Sequence, residues 1–88
     1  MIRRRVVVHG LVQGVFFRDT CRQEAQRHGV AGWIENAYDG TVVAEFEGPS
    51  DVVEQMIAWC RRGPSRAHVE RVEITDRDPT GSTGFQVR

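Results

Sequence analysis

The 88-residue chain contains no lysine, and all twelve of its basic residues are arginines. That absence excludes Schiff-base chemistry and the lysine of a P-loop. A codon bias toward arginine is the simplest explanation of the imbalance, yet the chemistry is narrowed all the same. Cysteine is also scarce. Cys21 and Cys60 are too few for a disulfide scaffold and too far apart for a zinc knuckle, so both are expected to be reduced core thiols. No stretch approaches the roughly 18 apolar residues of a membrane span. The N-terminal "MIRRR" runs directly into a strand-like pattern rather than the apolar region of a signal peptide. A cytoplasmic protein with no membrane partner is expected. Charge of one sign is missing as well: twelve acidic residues balance the twelve arginines. The chain therefore lacks the basic footprint of a general nucleic-acid binder, and any anion site has to be local.

The length supports one core, so residues 1–88 are expected to form a single domain. From Arg3 to His9 a valine-rich run predicts a buried strand. Phe17 to His28 has helical spacing, with Phe17, Cys21 and Ala25 on one face and Gly29 as the stop. Residues 31–37 and 41–47 predict two strands joined at Asp39-Gly40, a hairpin signal. Ser50 is expected to cap a second helix with an apolar stripe of Val53, Met56, Ile57 and Cys60, closed by Gly63-Pro64. Residues 67–75 alternate like a strand, with a phase break between Val69 and Val72 that suggests a bulge. "GFQVR" predicts a short last strand.

Strand, helix, strand, strand, helix, strand is the order of an α+β ferredoxin-like βαββαβ sandwich. The expectation is an antiparallel sheet, two helices on one face, and a short C-terminal extra strand. The two helices are expected to run parallel to each other. Cys21, early in the first, would then lie away from Cys60, late in the second, which argues against a disulfide between them.

Between the first strand and helix lies "HGLVQGVFFR", with Gly10, Gly14 and Arg18 at four-residue intervals. Glycines there permit positive φ and allow successive backbone N–H groups to point into one concavity at a helix start, a nest suited to phosphate. The planar fork of Arg18 can hold two phosphate oxygens at once. From spacing alone, a turn with structural glycines and a solvated arginine remains the competing explanation. Asn36, read alone, is equally a polar residue at a strand end.

"GLVQGVFFR" followed by "GWIEN" and "DGTV" resembles the acylphosphatase family, and the similarity extends from about residue 3 to the C-terminal "GFQV". The resemblance implies a small ferredoxin-like enzyme that hydrolyses the carboxyl-phosphate bond of acyl phosphates without a metal, a cofactor or a covalent intermediate. It assigns the phosphate cradle to the backbone of Leu11, Val12, Gln13, Gly14, Val15 and Phe16, and phosphate binding to Arg18. It assigns orientation of the attacking water to Asn36 and a supporting role to Thr41. Its partners would be a small-molecule acyl phosphate and the product inorganic phosphate, with no nucleic acid, and the protein is expected to be a monomer. Similar domains also begin larger carbamoyl-transfer proteins; a chain ending at Arg88 favours the free-standing hydrolase.

Such chemistry needs little acid catalysis, because a carboxylate is a good leaving group. Positioning and charge stabilisation carry it. The amide of Asn36 can both donate to and accept from a water without titrating. Two alternatives stand beside this expectation. "CRQEAQR", residues 21–27, has the Cys-x5-Arg spacing of a cysteine phosphatase, but in a helical segment without glycine. A non-catalytic ferredoxin-like ligand- or RNA-binding module is the other; the Arg3–Arg5 and Arg61, Arg62, Arg66 clusters would then contact RNA rather than solvent. His9, His28 and His68 have no metal-ligand spacing, and Trp33 and Trp59 are expected to pack in the core or on the sheet.

Overall fold

Valine-rich β1 (Ile2–Leu11) pairs antiparallel with β3 (Val42–Gly48) at the centre of the sheet, in a computed structural model that describes all 88 residues. β4 (His68–Arg77) flanks β1, and β2 (Ala31–Asn36) flanks β3, both antiparallel. α1 (Phe17–His28) connects β1 to β2, and α2 (Ser50–Arg62) connects β3 to β4. The short β5 (Phe85–Val87) lies outside β2 and pairs with it in parallel, giving the order β4-β1-β3-β2-β5. The ferredoxin-like α+β fold is as expected, but the sheet is mixed rather than wholly antiparallel. The cause is topological. β4 and β2 are the two edges of the antiparallel core, so a segment leaving β4 reaches the far edge only by crossing the sheet, and it arrives running the same way as β2.

Period-two alternation sorts the two faces. Val6 and Val8 of β1, Val42, Ala44 and Phe46 of β3 and Ile34 of β2 are fully buried beneath the helices. α1 contributes Phe17, Cys21 and Ala25, and α2 contributes Val53, Met56, Ile57, Trp59 and Cys60. Each helix runs back against the strand it follows, and β1 opposes β3, so the helices are antiparallel to each other. The expected parallel arrangement is thus corrected. Early Cys21 instead meets late Cys60, as two buried free thiols. Burial pushes the Cys21 thiol well up, and hydrogen bonding to Cys60 adds to the shift.

α2 also begins differently from its expected form. Pro49 occupies the cap with extended geometry (φ −56°, ψ 146°), its carbonyl accepts from Val53 N, and Ser50 is already the first helical residue. Proline fits because its fixed φ suits the residue before the helix and a missing N–H costs nothing there. The bulge signalled between Val69 and Val72 is present: His9 pairs with Arg71 and Gly10 with Val69, leaving Glu70 as the extra residue.

The other sheet face is polar and internally paired. The buried Arg3 guanidinium donates to Glu45 at 2.7 Å and to Glu47 at 2.9 Å, and Arg5 donates to Glu45 at 3.1 Å. Trp33 lies on this face, with the guanidinium carbon of Arg88 4.2 Å from its ring centroid. Glu47 also catches the crossing segment 78–84, accepting from the backbone N–H of Thr80 at 2.8 Å, Gly81 at 2.8 Å and Ser82 at 3.2 Å. These amides, that of Thr80 foremost, together with Arg3 hold the Glu47 carboxyl down from its ordinary 4.5 to about 2.

A carboxyl depressed on folding stabilises the fold above its unfolded pKa, and that contribution fades as pH falls through the folded value. The urea midpoint should therefore drop between pH 4.5 and about 2, with a shallower drop in Glu47→Gln. Equal pH slopes in the two proteins would remove Glu47 from this role.

Candidate active site

The loop between β1 and α1 begins later than the glycine spacing suggests. Gly10 is still inside β1, at φ 129°, where a Cβ would stand 2.1 Å from the carbonyl oxygen of His68. It is required by close backbone approach at the bulge, not by a turn. Gly14 is different: it has φ 75° and open space around it, so it is there for its conformation. Phe16 follows at φ 65°, a non-glycine residue in the left-handed region at the cap of α1. No backbone N–H from Gln13 to Asp19 donates to another backbone group, and the first such bond is Thr20 N to Phe16 O. The first turn of any helix has spare donors; here the preceding loop extends the series.

A cavity of about 280 Å³ lies against this segment. Val12, Gly14 and Phe16 enter it from the loop, and Phe17, Arg18 and Asp19 from the first turn of α1. Asn36 and Val87 close it from the ends of β2 and β5. Strand polarity explains the meeting. β1 and β2 are both antiparallel to β3, so both finish at the same end of the sheet, and β5, parallel to β2, finishes there too. The pleat then puts Asn36, two residues beyond buried Ile34, on the helix-bearing side.

Several contacts hold the frame. Phe17 is buried with its ring edge-on to Trp59, centroids 5.1 Å apart, which anchors the start of α1 in the core. Arg18 Nη1 donates to the Arg88 carbonyl at 2.9 Å. Gln13 Nε2 donates to the carbonyls of Ala37 at 2.8 Å and Thr41 at 3.0 Å, tying the loop to the β2–β3 hairpin next to Asn36. Within the hairpin, Thr41 donates from its N–H and its Oγ1 to the Asp39 carboxylate, at 3.0 and 2.7 Å. Those bonds, the hydroxyl's first, hold the Asp39 carboxyl below its usual range.

Of the residues singled out in the sequence, Val12, Gly14, Phe16, Arg18 and Asn36 come together at the cavity. Leu11 is an exposed strand end, Val15 packs against the core, Gln13 ties loop to hairpin and Thr41 braces the turn; none of these four side chains lines the cavity. Phe17, Asp19 and Val87 line it without having been singled out. Asp19 was readable as the neighbour of Arg18 in a first helical turn. Val87 and Arg88 carry no local signal, because only the pairing of β5 with β2 brings them in. His9 lies elsewhere, 2.8 Å from Glu73 on the polar sheet face. Cys21 is a core residue inside α1, and Arg27 pairs with Glu24 along that helix, so "CRQEAQR" forms no anion loop.

These features define a ferredoxin-like α+β sandwich with a donor-rich cavity at its β1–α1 corner. The family model described as acylphosphatase matches residues 4–87. An acylphosphatase of Rubrobacter xylanophilus is 49% identical over 87 residues, 98% of this chain and 79% of that protein. One of Gloeobacter violaceus is 50% identical over 86 residues, 98% of this chain and 92% of the relative. The crystal structure of an acylphosphatase from Bacillus subtilis superposes with a TM-score of 0.96 at 31% identity, covering 100% of this chain and 99% of that one. The chain belongs to the acylphosphatase family.

The two hydrogen bonds of Gln13 should make it a stabilising residue as well as a positioning one. At about 0.5–1.5 kcal/mol per neutral hydrogen bond, Gln13→Ala is expected to lower the unfolding free energy by about 1–3 kcal/mol in urea titrations. Gln13→Glu, which lacks the donor, should lose a similar amount; wild-type stability in both would show the tie to be inert.

Proposed function

We propose that the chain hydrolyses the carboxyl-phosphate bond of acyl phosphates, releasing a carboxylate and inorganic phosphate by direct attack of an oriented water, without a metal or covalent intermediate. The observation that carries this reading is the run of unpartnered amides from Gln13 to Asp19 at a cavity that Arg18 and Asn36 also line. The amides of the Leu11–Phe16 loop and the start of α1 supply fixed donors for phosphoryl oxygens, and the positive end of the helix dipole favours the same charge. Arg18 adds a planar fork and neutralises part of the charge that spreads over those oxygens in the transition state.

Asn36 orients the water by accepting from it and donating to it, and the proton passes to a phosphate oxygen of the substrate. Arg88 contributes by accepting from one guanidinium nitrogen, which leaves the others for substrate. Thr41 supports the site from behind, through the Asp39 turn and through the carbonyl that accepts from Gln13. The protein works as a single domain of residues 1–88, a cytoplasmic monomer with no nucleic-acid partner. The pairing of Arg3 and Arg5 with Glu45 and Glu47 supports that last point, since it neutralises the first arginine cluster.

The test is hydrolysis of acetyl phosphate in the presence of a chelator. Wild-type protein should turn it over, with inorganic phosphate as a competitive inhibitor. Arg18→Lys keeps the charge but loses the fork and should fall by roughly 10³- to 10⁵-fold in kcat/KM. Near-normal turnover by that variant would sink the role of Arg18. Asn36→Ala should lose kcat while still binding phosphate; equal loss of both would make Asn36 a structural residue.

A further inference from the structure

A second cavity, of about 190 Å³, lies at the other end of the sheet, where β1 begins. β1 is ten residues long and rises about 3.3 Å per residue, so this cavity stands roughly 25–30 Å from the loop before α1. Three arginines line it, Arg3 and Arg4 from β1 and Arg77 from β4, with Ile2 and Pro79 as apolar walls. The one carboxylate of the lining, Asp76, is engaged by Arg4 Nε at 2.6 Å.

The pairing register leaves a cation over. Glu47 of β3, Arg3 of β1 and Arg77 of β4 stand in one row across the polar face, and Glu45, Arg5 and Thr75 stand in the next. Three arginines thus share two carboxylates. Arg3 bonds both and Arg5 bonds Glu45, whereas Arg77 is exposed and takes part in none of the chain's ion pairs. Like charges directly opposite one another on a sheet repel, so Arg77 stands beside Arg3 at a cost. Arg3 itself is only 6% exposed. Its Nε donates to Glu45 and its Nη1 to Glu47, Thr80 and Ser82, but its Nη2 donates to no protein atom. A buried guanidinium with one nitrogen unused, opposite an unpaired guanidinium, is completed by an anion with oxygens for both.

We propose that this cavity is a second oxyanion site, which takes a free tetrahedral ion, inorganic phosphate or sulfate, between Arg3, Arg4 and Arg77. Size and shape restrict the ligand. The volume is below the roughly 300–1,000 Å³ of sites for larger molecules, which leaves room for a free ion and little else. Arg3 and Arg77 belong to the polar face, while Arg4 reaches Glu54 of α2 on the other, so donors approach from two sides of the sheet end. Four tetrahedral oxygens suit that arrangement better than the two of a planar carboxylate. The bound ion relieves the repulsion between Arg3 and Arg77 and ties β1 to β4 beside the crossing segment 78–84. It therefore stabilises the fold without touching the candidate active site, and it does not depend on the hydrolase reading.

The experiment titrates inorganic phosphate into isotopically labelled wild type, Arg77→Gln and Arg77→Lys, with ionic strength held constant by chloride, and follows backbone amide shifts. In wild type the amides of residues 75–78 and 80–82 should move along a saturable curve of their own, separate from any movement at residues 13–19. Arg77→Gln should weaken binding at the first set by about tenfold or more, leave the second set and acetyl phosphate turnover unchanged, and Arg77→Lys should recover part of the affinity. Melting should confirm the gain in stability. With phosphate at about five times the dissociation constant of this site, the rise in Tm should be roughly 4–8 °C larger in wild type than in Arg77→Gln. Sulfate should act like phosphate, and acetate and glycerol phosphate should bind more weakly. Glycerol phosphate as tight as phosphate would move the site to the phosphate group of a larger molecule, and acetate as tight would remove the tetrahedral preference; either overturns the assignment to a free tetrahedral ion. Shifts that rise without saturating, or an equal response in Arg77→Gln, would reduce the effect to the general action of these salts on protein surfaces and overturn the site.

Discussion

β1 and β2 run in the same direction because each is paired antiparallel to β3, and that shared polarity is what the cavity depends on. Gly14 follows β1 by a few residues and Asn36 ends β2, so two segments more than twenty residues apart finish at one end of the sheet with a single strand between them. The crossover through α1 adds the second requirement. Its first turn starts beside the end of β1, on the face to which the pleat directs Asn36, and Phe17 fastens that turn to Trp59 in the core. Reversing β2 would carry Asn36 to the other end of the sheet, and slipping its register by one residue would send it to the polar face.

The two ends of the sheet are built on opposite principles. At the start of β1 the carboxylate acceptors are consumed: Glu47 collects three backbone amides and Arg3, and Arg3 in turn satisfies Glu45. This closure lets the segment 78–84 pass from one edge to the other and deliver β5. At the far end donors are left over, in the loop and in the first turn of α1. The ends are coupled through the chain, since β5 carries Val87 and Arg88 to Arg18. A latch at the closed end thereby helps set geometry at the open one.

Much of the fold was legible locally. The span of α1 and its buried face follow from helical spacing, the hairpin from Asp39-Gly40, and the bulge from a one-residue break in alternation near Glu70. Each depends on interactions within a few residues. The order of secondary elements also pointed to a ferredoxin-like sandwich, while the direction of β5 did not appear, because parallel pairing at a sheet edge leaves no mark on the three residues that pair. The relative direction of the helices was missed for a related reason: it follows from the polarity of the strands each one connects, not from either helix. Cys21 and Cys60 consequently came together where separation was expected.

The site divides along the same line. The sequence by itself determined the glycine loop and the arginine in the first turn of α1, and through family resemblance it singled out Asn36, since turn chemistry and motif are written in contiguous residues. Only the tertiary structure decided that Asn36 lines the same cavity as Gly14, that Gln13 serves as a tie and Thr41 as a brace, and that Val87 and the Arg88 carbonyl belong to the surroundings of Arg18. Those placements depend on strand order, strand direction and register, which are settled by pairing between segments far apart in the chain and by the shared core they bury.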